Sequence, residues 1–369
     1  MLLRWPHHAL YKSTLNRADP AGPAGGTMAK LKLNLACLDY DRVRPLMDGR
    51  VQAHGIDINI LPMRPRETFP RMLERQEFEA SELSLASYTI LKGKDDKRFV
   101  SIPVALSKLF RHSYIYVREG SGIKSPADLK GKRVGTTQYG STAVVFMKGL
   151  MQDEYGVRPE DMHWFMGGLE APVQNPLLPL KLPDKIKLEF LKPGVTLEDM
   201  MVKGELDALF SIYLPPSFLR GDKHIKRLFP EYKKAEQAYY KKTKIFPIMH
   251  TVVLRRDIHE ANPWAARNLF AAFEAAKNIA IDGLYDTDAL HLTLPFLLDH
   301  IEENWRTFGE DFWSYGYDAN KSTLEAVGRW VFDQGLSPRI VKPEEIFDPS
   351  MDGSGDLEPV VRRSAIPKV

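Results

Sequence analysis

The chain has 369 residues, with 51 Lys and Arg against 48 Asp and Glu, 44% hydrophobic and 10% aromatic residues. Those proportions exclude a mainly disordered chain, and a net charge of +3 spread along the sequence excludes the electrostatic footprint of a nucleic-acid binder. No run approaches the roughly 18 apolar residues of a membrane span, and the single cysteine, Cys37, rules out an intramolecular disulfide or a thiolate zinc cluster and fits a reducing cytoplasm.

The first 28 residues end in a Pro/Gly/Ala tract, and Arg4, Pro6, His7, His8 and Lys12 interrupt any apolar export signal. Residues 1–28 are expected to be a disordered leader, with Met28 an alternative start. From Lys30, strand-like runs alternate with longer helical ones, the pattern of an α/β protein. "KLKLNLACL" puts Leu31, Leu33 and Leu35 on one face, "IDINIL" does the same with Ile56, Ile58 and Ile60, and "ETFPRMLERQEF" reads as a helix. "RFVSIPVAL" and "SYIYV" are two further strands. Ser125, Pro126 and Asp128 form a helix-start signal before the strand "KRVGTT". "GTTQYGSTAVVFMKGLMQDEYG" is a strand end, a hydroxyl-rich loop and an amphipathic helix whose free first-turn amides suit an anion. "TLEDMMVKGELDALF", "FPIMHTVVLRRD" and the long helix "NPWAARNLFAAFEAAKNIAI" continue the alternation.

No dinucleotide, nucleoside-triphosphate, zinc-peptidase or esterase signature occurs. What stands out is polar residues at strand ends: Asp39 to Arg42, Ser81, Glu82 and Ser84, Arg111 and His112, Tyr139 to Thr142, and His250. Ligands of open α/β sheets bind outside the carboxyl ends of strands, so these residues make up the candidate site.

Taken in order, "LKLNLACLDYDRVRPLMDGRV", "ETFPRMLERQEFEASELSLASY", "LFRHSYIYVREGSGIKSPADLKGKRVG", "MQDEYGV", "LEDMMVKGELDAL", "YYKKTKIFPIMHTVVLRRD" and "YDTDAL" closely resemble the 4,5-dihydroxyphthalate decarboxylase family, from about Leu31 to about Phe347. The subset "GIKSPADLKGKRVG" is shared with many type 2 periplasmic-binding proteins. The resemblance implies a two-lobed type 2 periplasmic-binding-protein-like α/β fold with a central cleft. Residues 30–115 and 245–369 would form lobe 1 and residues 118–240 lobe 2, with "SYIYV" and "IMHTVVL" as crossover strands. The loops "TTQYGSTAVV" and "SIYLPPSF" and the insert "APVQNPLLPLKLPDKIKLEF" depart from the family's pattern.

The implied activity is a carboxy-lyase reaction that turns 4,5-dihydroxyphthalate into 3,4-dihydroxybenzoate and CO2. Such a site needs a cationic clamp, a proton donor at the ring carbon and an acceptor at the phenol. Arg111 and Arg42 suit the clamp, with Ser81, Ser84, Tyr139, Ser141 and Thr142 as further substrate contacts. His112 or His250 is the proton donor, and Glu82 the phenol acceptor. Electron release from a para oxygen means that no cofactor is obligatory, and a divalent metal held by the histidines is a third way to run the chemistry. The partner is a small aromatic dicarboxylate, with no nucleic acid, no membrane, and a homo-oligomer left open. The competing class is a non-enzymatic solute-binding protein for a small organic anion.

Overall fold

Alternating apolar residues start the first sheet. In β1 (Leu31–Cys37), Leu33 and Leu35 are buried, and the strand lies parallel to β2 (Ile56–Pro62) in full register from Leu31 opposite Ile56 to Cys37 opposite Pro62. The computed structural model describes residues 29–171, 176–290 and 292–352, so the expected leader lies outside the described residues. The other strands are β3 (Ala80–Ser84), β4 (Phe99–Lys108), β5 (Ile115–Arg118), β6 (Arg133–Thr136), β7 (His163–Met166), β8 (Lys187–Phe190), β9 (Ala208–Phe210), β10 (Ile225–Arg227) and β11 (Ile248–Arg255). Among the described residues the helices of eight or more residues are α1 (Pro65–Arg75), α2 (Leu85–Gly93), α3 (Thr142–Tyr155), α4 (Tyr232–Thr243), α5 (Ala265–Gly283), α6 (Leu297–Phe308) and α7 (Lys321–Asp333).

Two mixed sheets result, one in the order β2-β1-β3-β11-β4 and the other β10-β5-β9-β6-β7-β8. The chain passes from the first sheet to the second between Lys108 and Ile115 and returns between Arg227 and Ile248. The run "SYIYV", expected as a crossover, is instead mostly β5, paired antiparallel with both β9 and β10 inside the second sheet. The crossing is made earlier, by residues 109–114, where Arg111 and a single 3-10 turn over His112–Tyr114 break the strand pattern. "IMHTVVL" is β11, held between β3 and β4 in the first sheet.

Two features of this sheet position the site. β3, "ASELS", is buried along its whole length although it carries Ser81, Glu82 and Ser84. Polar side chains on a strand with no solvent face need partners inside the fold. Beside it, β11 pairs with β4 through register irregularities on both sides of His250. Bulges of this kind re-aim one side chain out of the pleat.

Candidate active site

His250 lies opposite Ser84 in the β3–β11 ladder, and Glu82 lies opposite Val252. The histidine and the glutamate are therefore diagonal neighbours on one face, within reach of each other. His250 Nδ1 is 2.6 Å from Glu82 Oε1. Tyr40 Oη donates to the same oxygen at 2.5 Å, and the Leu38 N–H donates to Oε2 at 3.0 Å. Glu82 is fully enclosed. Burial alone would raise its pKa, but the charge of His250 and the hydrogen bonds from His250, Tyr40 and Leu38 more than offset it and hold the carboxyl below its ordinary value. A buried acceptor on Nδ1 leaves Nε2 as the free ring nitrogen. Phe69 of α1 holds the other side of the ring edge-on at 5.0 Å.

His250 lines a cavity of about 1350 Å³ between the two sheets, with Leu38, Arg64 and Ser84 on one side and Gln138, Ser141, Thr142, Ile212 and Tyr213 on the other. Arg and Lys outnumber Asp and Glu on its walls by seven to three. The N-termini of three helices meet there. Arg64 and Pro65 begin α1, Ser84 caps α2 through the Ser87 N–H at 3.2 Å, and Ser141 caps α3 through the Val144 N–H. Ser84 Oγ and Thr142 Oγ1 are 2.8 Å apart across the cleft, and Thr142 Oγ1 also accepts the Ala86 N–H at 3.0 Å. First-turn amides without intrahelical acceptors and three positive dipole ends favour anions.

Arg111 also lines this cavity and is itself almost fully buried. Its Nε and Nη2 point at Met249 Sδ, 3.2 and 3.0 Å away, and Nη1 donates to the Ile212 carbonyl at 3.3 Å. No carboxylate lies within ion-pair distance among the described residues. Burial lowers its pKa to about 10, with Tyr114 and Glu236 offsetting part of that, so it remains a cation at neutral pH.

The structure separates the other sequence candidates from this group. Arg42, expected as a clamp, does not line the cavity. Its guanidinium is bound to the Leu106 carbonyl and Asp41 and lies over the rings of Tyr40 and Trp313. His112, expected as a proton donor, is packed edge-on between Phe229 and Tyr239, with Nδ1 3.9 Å from Glu236. Burial lowers its pKa to about 4, so it is neutral at pH 7 and faces no ligand space. Tyr139 is fully buried: its ring packs on Trp164 and under the Lys148 ammonium, and its hydroxyl reaches the Gln334 carbonyl. Ser81 is enclosed in β3 with its hydroxyl unpartnered. Glu82 does not line the cavity, so it meets His250 and the Tyr40 phenol and not a hydroxyl of the substrate. Ser84, Ser141, Thr142, Arg111 and His250 do line it.

Sequence reasoning passed over Arg64, Phe69, Met249 and Gln138. Arg64 carried one legible signal: it stands immediately before the proline that starts α1, so its side chain is delivered at a helix N-terminus. It is exposed on the cavity wall, and its guanidinium has no carboxylate partner among the described residues.

Comparisons with known proteins agree with this architecture. Residues 40–175 match the family described as the periplasmic substrate-binding protein of a phosphonate ABC transporter. The crystal structure of a putative sulfonate ABC transporter periplasmic sulfonate-binding protein from Methylobacillus flagellatus KT superimposes with a TM-score of 0.51 at 16% identity, covering 88% of this chain and 93% of that one. The fold is thus that of the two-lobed periplasmic-binding proteins. Within that class the sequence is more specific. It is 39% identical over 323 residues to the 4,5-dihydroxyphthalate decarboxylase of Comamonas testosteroni, covering 88% of this chain and 98% of the relative. It is 35% identical over 214 residues to that of Pseudomonas putida, covering 58% and 83%. The chain belongs to the 4,5-dihydroxyphthalate decarboxylase family. Among the described residues no helix is long and apolar enough to cross a membrane.

Proposed function

We propose that this protein is a carboxy-lyase of aromatic-acid catabolism that converts 4,5-dihydroxyphthalate to 3,4-dihydroxybenzoate and CO2, with His250 as the proton donor. One observation carries the site assignment. A buried guanidinium without a counter-ion, Arg111, shares a cavity with a histidine whose Nδ1 is engaged by a buried carboxylate. The first is a place for an anion, and the second a proton source aimed at it.

Arg111 binds one carboxylate, and Arg64 with the N-termini of α2 and α3 supplies further positive potential. The substrate's twofold symmetry makes its carboxylates equivalent until the site holds one tightly and leaves the other over the ring of His250. Each phenol oxygen is para to a carboxylate, so its electrons raise the basicity of the ring carbon that bears that carboxylate. His250 Nε2–H gives its proton to that carbon. The bond to the carboxylate then breaks, its electron pair restores the aromatic ring, and CO2 leaves. One proton is consumed per turnover, and His250 regains it from solvent. Glu82 accepts from Nδ1–H throughout and stabilises the imidazolium before transfer.

The reading includes a cytoplasmic location, supported by the sole cysteine, Cys37, being a free thiol in the core. A metal held between His112 and His250 finds no support in the donor geometry, because His112 is shut behind Phe229 and Tyr239. The test is incubation of the purified protein with 4,5-dihydroxyphthalate, with and without a chelator, and detection of 3,4-dihydroxybenzoate by chromatography. Product in both arms is expected. Tight binding without product would overturn the lyase reading in favour of a solute-binding protein.

A further inference from the structure

We propose that Tyr40 is a positioning residue for this reaction: by donating to Glu82 Oε1 it keeps that carboxylate an acceptor for His250 Nδ1–H, and so reserves Nε2 for the proton that is transferred. The inference rests on the reading of His250 as the proton donor.

Glu82 receives three donors. Tyr40 Oη and His250 Nδ1 share Oε1 at 2.5 and 2.6 Å, and the Leu38 N–H holds Oε2 at 3.0 Å. With both oxygens engaged and no solvent, the carboxylate has one orientation and therefore fixes the plane of the imidazole ring. Tyr40 does not line the cavity, so it acts through Glu82 and not on substrate. It is itself held: the Arg42 guanidinium lies 4.1 Å from its ring centroid and 4.5 Å from that of Trp313, anchored by the Leu106 carbonyl. Arg42, the clamp expected from sequence, is the buttress of this chain of contacts.

The charged and titratable groups around the Glu82–His250 pair are Cys37 from β1, Asp39, Tyr40 and Arg42 from the loop after it, and Arg111 of the crossover segment, whose guanidinium meets Met249 next to His250 in β11. Burial, and then the Glu82 charge, push both the Cys37 thiol and the Tyr40 phenol well above their usual ranges. Tyr40 therefore stays protonated, and so a donor, in the neutral range.

A hydrogen bond from Tyr40 draws charge off Glu82; without it the carboxylate accepts more strongly from His250 Nδ1–H. In Tyr40→Phe, the Nδ1–H proton resonance of His250, followed by NMR in the full chain at one fixed pH, should move downfield. kcat should fall about tenfold with KM changed less than twofold, the scale of removing a group that orients a reacting residue. Replacing Tyr40 with 3,5-difluorotyrosine, which keeps the shape and is a stronger donor, should move the resonance upfield; it serves also if the phenylalanine variant fails to fold. An unmoved Nδ1–H resonance in the difluorotyrosine protein, or a KM-only effect in Tyr40→Phe, would overturn the proposal. Near-normal turnover by His250→Gln would instead remove the reading on which it rests, whatever Tyr40 does to the resonance.

Discussion

His112 and His250 are the same residue type, each at the end of an apolar run, yet their surroundings give them different chemistry. His250 has a buried carboxylate on one nitrogen and lines the cavity; His112 is packed in edge contacts with Phe229 and Tyr239. His250→Gln is expected to lower kcat by about 100-fold or more, the range for loss of a general acid, with KM within a few-fold. Steady-state kinetics on 4,5-dihydroxyphthalate checks this. Arg111→Gln should raise Kd as well as reduce turnover, since deleting one partner of a buried charged contact costs about 2–5 kcal/mol. His112 makes a contrasting prediction. Its folded pKa of about 4 lies below the ordinary 6.5, so stability is complete above pH 6.5 and is lost as pH falls, when the unfolded chain gains a proton that the folded one refuses. The loss approaches about 3 kcal/mol near pH 4. Denaturant titrations of the wild type and His112→Phe at pH 7 and 4.5 should show the smaller drop in the variant. Glu236, which burial raises to about 7, has the opposite pH dependence but is common to both proteins.

At the scale of elements, two segments supply several of the polar candidates read from the sequence: "ASELS" with Ser81, Glu82 and Ser84, and "YGSTAVV" with Tyr139, Ser141 and Thr142. The structure joins them. Ser84, the last residue of β3 and cap of α2, meets Thr142 in the first turn of α3, which follows β6 of the second sheet. Thr142→Val keeps the volume but leaves the buried Ala86 N–H and Ser84 hydroxyl without this partner. An unsatisfied buried donor costs about 1–3 kcal/mol, so a lowered unfolding midpoint is expected, with substrate affinity reduced as well. A thermal melt with and without bound 3,4-dihydroxybenzoate measures both. The strand periodicity that made β1, β2 and β11 readable depends only on neighbours in sequence. The place where the chain crosses between sheets is not legible in that periodicity, because "SYIYV" has the same local pattern whichever sheet it joins.

Across the whole molecule, α7 from the C-terminal part of the chain packs against α3, which follows β6 of the second sheet. Trp330 is fully buried on the face of α3, its Nε1–H donating to Asp153 at 3.0 Å. Arg329 pairs with the same aspartate, Gln152 donates to Asp333 at 2.8 Å, and Gln334 donates to the Val145 carbonyl at 2.9 Å. Gly149 makes this approach possible: a Cβ there would stand 2.2 Å from Trp330 Cδ2. Gly149→Ala should cost about 1–3 kcal/mol through overpacking, despite the better helix propensity of alanine, and should reduce turnover by displacing α3, whose N-terminus lines the cavity. Equilibrium unfolding and kcat on one preparation check the two effects.

By itself the sequence determined the α/β alternation, the absence of a nucleotide motif, the likeness to the decarboxylase family, and a short list of polar strand ends. All of these depend on residue type and spacing along the chain. Only the tertiary structure decided which members of that list act together. It put Glu82 behind His250, turned Arg42 into a support for Tyr40, sealed His112 and Tyr139 into aromatic packing, and brought Arg64 to the cavity. The reason is physical: what a titratable side chain does depends on its burial and on partners tens to more than a hundred residues away, and local pattern carries neither.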